Sequence, residues 1–165
     1  MKALVVYESL WGNTAAVAAA IAEGLGPEAR ALSTADAVGP ALADADLIVA
    51  GSPVLAFKLP TEKVRESLRA TPPGAPGPAD LSHPSMSSWL GALPAGSGHS
   101  AAFDTRIRGP FGSAAAAIGK ALERAGYQSI AKPTGFVVAG KYGPLRAGEL
   151  ERAQAWGEEL GRVMG

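Results

Sequence analysis

The feature that most constrains this chain is a regular alternation of short apolar runs with helical segments that are apolar on one face. Continuous apolar runs of this length suit strands that are buried on both faces of a sheet. The predicted strands are 3–7, 30–33, 47–50, 100–103 and 135–139. Alternation of this kind implies a parallel sheet covered by helices on both faces, with right-handed crossovers. We therefore expect an α/β, doubly wound, three-layer sandwich that forms a single domain over residues 1–165.

The helical segments carry recognisable start and stop signals. Apolar residues at helical spacing predict a helix over 15–25, where glycines follow the last turn. Thr61 is predicted to cap a helix that runs through Leu68. A helix after Gly112 is predicted to end at Gly126. In the last helix, the spacing predicts that four residues face inward, namely Leu150, Ala153, Gly157 and Leu160.

One long stretch breaks the alternation. The segment from Thr71 to Gly98 contains six prolines and five glycines, too many for one regular element. We predict a surface excursion there. Within it, 85–93 is predicted to form one or two helical turns with Trp89, Leu90 and Leu93 facing inward.

Composition narrows the possible partners and compartment. Lysines and arginines number 15 and aspartates and glutamates also 15, so the formal net charge is zero. A balanced chain has no general attraction to nucleic acid or to an anionic membrane, and we expect neither as a partner. The chain has no cysteine, which excludes disulfides and thiolate ligands. It shows no secretory signal and no long apolar span, so we expect a cytoplasmic protein.

The loop after the first predicted strand is the main candidate site. In an open parallel sheet, ligands bind beyond the carboxyl ends of the strands. This loop reads Glu8-Ser9-Leu10-Trp11-Gly12-Asn13-Thr14 and leads directly into a helix. The free amides and the dipole at a helix start favour an anion. Because the loop has no lysine or arginine, a phosphate would be held by amides and hydroxyls alone.

The same residues also have a purely structural interpretation. Serine, glycine, asparagine and threonine before a helix are good capping residues whether or not a ligand binds. The position after the first strand, with two further loops at the same edge of the sheet, favours the functional interpretation.

The loop resembles the phosphate loop of the flavodoxin family through Ser9, Gly12, Asn13 and Thr14. The usual family pattern is Thr or Ser, x, Thr, Gly, x, Thr, and here Trp11 replaces the middle threonine. The resemblance extends over nearly the whole chain and implies a five-stranded parallel sheet in the order 2-1-3-4-5. It also implies that FMN is the cofactor, with its phosphate held by the loop residues Ser9, Leu10, Trp11, Gly12, Asn13 and Thr14.

Two later loops are implied to enclose the isoalloxazine ring of FMN. The first follows strand three, where Val54 stands in a place at which the family commonly has threonine or tyrosine. The implied ring contacts are Ser52, Pro53, Val54 and Phe57 after strand three, and Phe103, Asp104, Thr105 and Arg106 after strand four. An aromatic side chain often stacks on the ring in this family, and Phe57 and Trp11 are the candidates in this chain.

The resemblance implies electron transfer by bound FMN, with a redox partner protein or a small-molecule electron acceptor. This function requires no catalytic acid, base or nucleophile from the protein. The two histidines lack the spacing of a metal site, and we expect no metal. Two alternatives stay open: a small FMN-dependent oxidoreductase that passes electrons from NAD(P)H to a quinone-type acceptor, and a module that keeps the fold but has lost the cofactor. The sequence does not indicate the oligomeric state.

Overall fold

Six strands form one parallel sheet in the computed structural model, which describes all residues Met1–Gly165. The strands are β1 (Ala3–Tyr7), β2 (Ala29–Ser33), β3 (Leu47–Pro53), β4 (His99–Ile107), β5 (Gln128–Ser129) and β6 (Thr134–Val138). Their order across the sheet is β2-β1-β3-β4, with β5 and β6 both paired to the far side of β4. The predicted order 2-1-3-4-5 is confirmed. The sixth strand arises because two short segments share the last position.

Helices cover both faces of this sheet. They are α1 (Asn13–Leu25), α2 (Pro40–Ala43), α3 (Glu62–Glu66), α4 (Met86–Ala92), α5 (Ala115–Arg124) and α6 (Glu149–Met164). Neighbouring residues of one strand enter opposite cores: Val5 packs with α1 and α6, and Val6 with α4 and α5. Both valines are fully buried, as the continuous apolar runs predicted. None of the helices has the length and hydropathy needed to cross a bilayer.

The two central strands run further than their apolar runs suggested. The predicted break at Gly51-Ser52-Pro53 is wrong, because β3 continues to Pro53 and pairs there with β4. Gly51 lies opposite Phe103, and a Cβ at position 51 would come within 2.2 Å of that ring. The glycine is thus a packing position within the strand rather than a strand break.

The predicted helices are present, with α1 beginning two residues earlier than predicted and α3 ending earlier. The Thr61 hydroxyl accepts a hydrogen bond from the Val64 N–H at 3.2 Å, so the predicted cap is confirmed. α3 ends at Glu66, however, and does not reach Leu68. In α6, Leu150 is 43% exposed and does not face the core as predicted, whereas Ala153, Gly157 and Leu160 are buried.

The stretch 71–98 is more than a surface excursion. Its predicted helical turns are present as α4, and Trp89 is buried with its Nε1–H donating to the Ala37 carbonyl at 2.7 Å. His83, Ser85 and Met86 are buried as well. The stretch therefore completes one helical layer and also reaches the carboxyl ends of the strands.

Candidate functional site

A cleft opens at the carboxyl ends of β1, β3, β4 and β6, where the resemblance placed the cofactor. Its lining comes from the loop after β1 with the start of α1, the loop after β3, the end of β4 and the chain around the end of β6. The lining residues are Ser9, Leu10, Trp11, Asn13, Thr14, Pro53, Val54, Leu55, Thr105, Arg106, Ile107, Val138 and Lys141. The enclosed part of the cleft measures about 50 Å³. Since liquid water takes ~30 Å³ per molecule, this part suits a small anion, and a larger group has to extend into the open part of the cleft.

The backbone of the loop over residues 9–14 presents free donors to this cleft. Ser9 Oγ accepts hydrogen bonds from the Gly12 and Ala15 amides at 3.1 and 3.2 Å, which closes the loop on itself. Gly12 takes a positive φ of 92°, a conformation that glycine adopts without strain. The remaining backbone N–H groups, those of Leu10, Trp11, Asn13 and Thr14, have no acceptor within the protein. The start of α1 thus has the donor set of an anion site.

The polar side chains of this loop bind its surroundings rather than point freely into the cleft. Thr14 Oγ1 lies 2.8 Å from Thr105 Oγ1, which joins the loop to β4. Asn13 donates from Nδ2 to the Tyr142 carbonyl at 3.2 Å. The Ser9 hydroxyl, although it accepts two amides, keeps its own proton free to donate. A bound anion would therefore meet backbone amides first and the Ser9 O–H second.

Trp11 forms a fixed wall of the cleft. Its indole Nε1–H donates to the Gly77 carbonyl at 3.1 Å, and its ring meets the edge of Tyr142 with centroids 4.7 Å apart. The sequence made this side chain one of two candidates to stack on the ring. In the structure it lines the cleft and is half-buried.

The other aromatic candidate, Phe57, lies at the rim and does not line the cleft. Residues 55–58 form a two-residue hairpin in which Leu55 and Lys58 exchange backbone hydrogen bonds of 2.9 and 3.1 Å. Ala56 and Phe57 both have positive φ, 49° and 70°, and the Phe57 side chain is 66% exposed. Turns of this kind favour Asn-Gly. An L-residue other than glycine in the left-handed backbone conformation costs roughly 1–2 kcal/mol of conformational free energy.

Replacing Ala56-Phe57 by Asn-Gly is therefore expected to raise the free energy of unfolding by about 1 kcal/mol, after the added chain entropy of glycine is subtracted. Urea unfolding of the variant and of wild type measures the change. A single Ala56→Asn substitution is the control, with a smaller gain. A double variant less stable than wild type would show that the Phe57 ring stabilises the fold by contacts that its exposure does not indicate.

The residues predicted in a loop after strand four lie inside β4. Phe103 is fully buried in the core beside Phe136 and Trp156 and does not line the cleft, so the structure does not bring it to the implied ring contact. Asp104 is also fully buried, where it accepts the Ala114 and Ala115 amides, both at 2.9 Å, and binds Arg106. It caps the start of α5 instead of facing a ligand. Thr105 and Arg106 do line the cleft.

Of the ring contacts implied after strand three, some line the cleft and others do not. Pro53 and Val54 line the cleft, joined by Leu55, which the sequence analysis did not single out. Ser52 is fully buried, and its hydroxyl donates to the Pro53 carbonyl at 3.1 Å. The loop after β3 thus supplies Val54 and Leu55 to the lining, and the last part of β4 supplies Thr105, Arg106 and Ile107.

A buried charged cluster behind the loop was not anticipated. Glu8 is fully buried, its Oε1 accepts the Met86 N–H at 2.9 Å, and its Oε2 lies 3.3 Å from Arg65 Nε. Neither Oε2 nor Nε makes a well-directed hydrogen bond. Burial raises the pKa of Glu8 from 4.5 to about 7, although the Met86 amide and the Arg65 charge both oppose the rise. No sequence signal joins these residues, since they lie far apart in the chain.

The structure holds no group of three or more histidine, aspartate or glutamate side chains arranged as a metal site. Within the cleft the only ionisable side chains are the cations Arg106 and Lys141. The site is therefore built for an anion, with neutral and positively charged walls.

Comparisons with known proteins agree with the fold. No family model and no curated protein matches the chain. Among solved structures, a flavodoxin from the domain Archaea is 21% identical, with a TM-score of 0.69 and 99% of both chains covered. A short-chain flavodoxin associated with a non-canonical PDU bacterial microcompartment is 14% identical, with a TM-score of 0.67 and 100% of both chains covered.

Larger proteins contain the same fold as a part. The rubredoxin oxygen:oxidoreductase from Desulfovibrio gigas is 16% identical with a TM-score of 0.61, and the match covers 99% of this chain but 36% of that one. At these identities the comparisons show the flavodoxin fold, as the sequence analysis predicted.

Proposed function

We propose that this protein binds one FMN at the loop over residues 9–14 and acts in electron transfer. The observation that carries the proposal is the set of four free backbone N–H groups at the start of α1, directly after β1. In an open parallel sheet this is the position at which nucleotide phosphates bind. The flavodoxins among the structural neighbours support a flavin as the ligand.

The residues present fit the phosphate of FMN. Leu10, Trp11, Asn13 and Thr14 would donate their amides, and the Ser9 hydroxyl would add a side-chain donor. Hydrogen bonds to a charged group contribute about 1.5–3 kcal/mol each, so several of them account for tight binding without a cation in the loop. Lys141 lines the same cleft and adds favourable charge, whereas the charge of Arg106 is paired with the buried Asp104 carboxylate.

The ring of FMN would be held by the walls of the open cleft. Its lining offers one aromatic side chain, Trp11, together with Val54, Leu55, Thr105 and Ile107. FMN, when bound, supplies the redox chemistry, and the protein shields the ring and sets its surroundings. Phe57 is too far toward the rim to count among the lining residues, so Trp11 is the aromatic side chain we assign to the ring.

An electron carrier fits the lining better than an enzyme with its own proton chemistry. No aspartate, glutamate or histidine lines the cleft, so no side chain there could transfer protons near neutral pH. The rim instead exposes Phe57 and Phe111, 66% and 47% accessible, beside the exposed cations Lys58 and Arg108. We assign this rim to contact with an acidic redox protein or an anionic electron acceptor.

The test is a titration of the apoprotein with FMN and riboflavin, which share the ring and differ in the phosphate. We expect FMN to bind at least about 100-fold more tightly, the effect of two or more charge-assisted hydrogen bonds. Flavin fluorescence measures both dissociation constants. Equal affinities would contradict the assignment of the phosphate site, and binding of neither flavin would indicate a fold without its cofactor. Steady NAD(P)H oxidation with a quinone would identify the reductase alternative instead.

A further inference from the structure

Residues 77–83, part of the proline-rich stretch 71–98, support the phosphate loop from outside the sheet. It makes three hydrogen bonds to three consecutive loop residues. Trp11 Nε1 donates to the Gly77 carbonyl at 3.1 Å, Asp80 N–H donates to the Leu10 carbonyl at 2.8 Å, and Ser9 N–H donates to His83 Nε2 at 3.0 Å. We call residues 77–83 the brace. The shape of the loop therefore depends on a segment about 70 residues away in the chain.

The bond between Ser9 and His83 requires one protonation state. The His83 side chain is 5% exposed, and Ser9 is buried as well. An imidazole nitrogen accepts a hydrogen bond only when it carries no proton, so Nε2 must be bare and the proton must reside on Nδ1. A doubly protonated ring would place an Nε2–H against the Ser9 N–H, and the two donors would repel each other.

The groups around His83 favour the neutral ring. Asp80 Oδ1 lies 3.8 Å from Nδ1, Arg65 Nη2 donates to the His83 carbonyl at 2.6 Å, and Glu8 lies on the other side of Arg65. Burial lowers the pKa of His83, Asp80 opposes this, and Arg65 adds to the lowering. His83 is thus neutral at pH 7 and gains its proton in the acidic range.

We propose that His83 is a positioning residue of the cofactor site, which holds the Ser9 amide in place so that the neighbouring amides point into the cleft. Protonation of His83 releases Ser9 and lowers the affinity for FMN. This inference rests on the proposed binding of FMN phosphate at the loop. His83 contacts neither the cleft nor the ligand and acts through Ser9 alone.

The test compares wild type with two variants from pH 8 down to the pH at which NMR shows His83 protonated. His83→Gln keeps an acceptor near the Nε2 position but does not titrate, and His83→Leu removes the acceptor at every pH. The phosphate of FMN itself titrates near pH 6. The titration of the phosphate affects all three proteins alike. The ratio of the FMN dissociation constants of wild type and His83→Gln therefore reports the contribution of His83 alone.

At pH 8 we expect His83→Gln to bind FMN within about threefold of wild type and His83→Leu to bind about three- to tenfold more weakly, the effect of one lost hydrogen bond. As the pH falls through the titration of His83, which its ring resonances report by NMR, wild type should come to bind FMN more weakly than His83→Gln by about the same three- to tenfold. Identical affinities of wild type and His83→Gln across that titration, or tighter binding by His83→Leu, would overturn the inference.

An NMR titration of the apoprotein separates this inference from the proposed function. In wild type the Ser9 amide resonance should show a shift in step with the His83 ring resonances, and His83→Gln should lack that shift, whereas the titration of the neighbouring Glu8 is common to both proteins. A Ser9 resonance that titrates identically in the two proteins would overturn the role of His83 whether or not FMN binds. A shifted resonance in a protein that binds no FMN at any pH would support the brace and overturn the proposed function, and with it the effect on FMN affinity.

Discussion

Replacing Arg65 by methionine is expected to destabilise the protein by about 3–5 kcal/mol at pH 8 and by distinctly less at pH 5. Arg65 is the only cation beside Glu8, with Nε 3.3 Å from Oε2, and the side chains are 7% and 0% exposed. Without Arg65, ionised Glu8 would be a buried charge with no opposite charge beside it. Removal of one partner from a buried pair leaves that penalty uncompensated.

The pH dependence follows from the raised pKa of Glu8. In the folded protein this pKa is about 7, against 4.5 for the unfolded chain. Between these values the folded state binds more protons than the unfolded state, so the contribution of Glu8 to stability is present below pH 4.5 and lost as pH rises through 7. Loss of Arg65 raises the folded pKa further. The cost of the substitution therefore increases with pH as Glu8 ionises.

A double variant, Glu8→Gln with Arg65→Met, is the matched control. The glutamine keeps an oxygen for the Met86 amide, and no buried charge remains on either residue. We expect it to recover most of the loss at pH 8 and, because it has no carboxyl at residue 8 to titrate, to lose less stability between pH 5 and pH 8 than wild type does. Urea unfolding at both pH values provides the measurements. An equal loss for Arg65→Met at both pH values would show that packing, rather than charge, accounts for the effect.

Replacing Asn13 by aspartate is expected to weaken FMN binding by about 100-fold and to leave riboflavin binding unchanged within about twofold. Asn13 lines the cleft at the first residue of α1, beside the free amides. A carboxylate there repels a phosphate a few ångströms away by several kcal/mol at an effective dielectric constant of about 20. The same charge is favourable for the helix, since it lies at the positive end of the dipole.

Asn13→Ala separates charge from the lost hydrogen bond. Both substitutions remove the donor to the Tyr142 carbonyl, but only aspartate adds a charge. We expect alanine to weaken FMN binding by less than about fivefold, the effect of one neutral hydrogen bond. Fluorescence titrations with both flavins measure the difference. If aspartate and alanine weaken FMN binding equally, the phosphate does not lie at this helix start.

The sequence by itself determined the features that depend on neighbouring residues. Apolar runs placed five strands, and β1 was predicted with its observed bounds, because a run buried on both faces is visible without its partners. The Thr61 cap and the loop over residues 9–14 were equally predictable. In both cases the hydrogen-bonding residues lie within six positions of each other.

Only the tertiary structure decided the features that depend on distant partners. Phe103 belongs to the core because β3 extends to Pro53 and Gly51 leaves space for its ring, although the polar residues after Phe103 suggested a loop. His83, in a proline-rich stretch with no periodicity, reaches Ser9 across 74 positions, and Arg65 reaches Glu8 across a similar separation. A sequence pattern indicates how a single helix or strand is buried. The pairing of elements far apart in the chain depends on the whole fold, and that pairing shaped the loop and its brace.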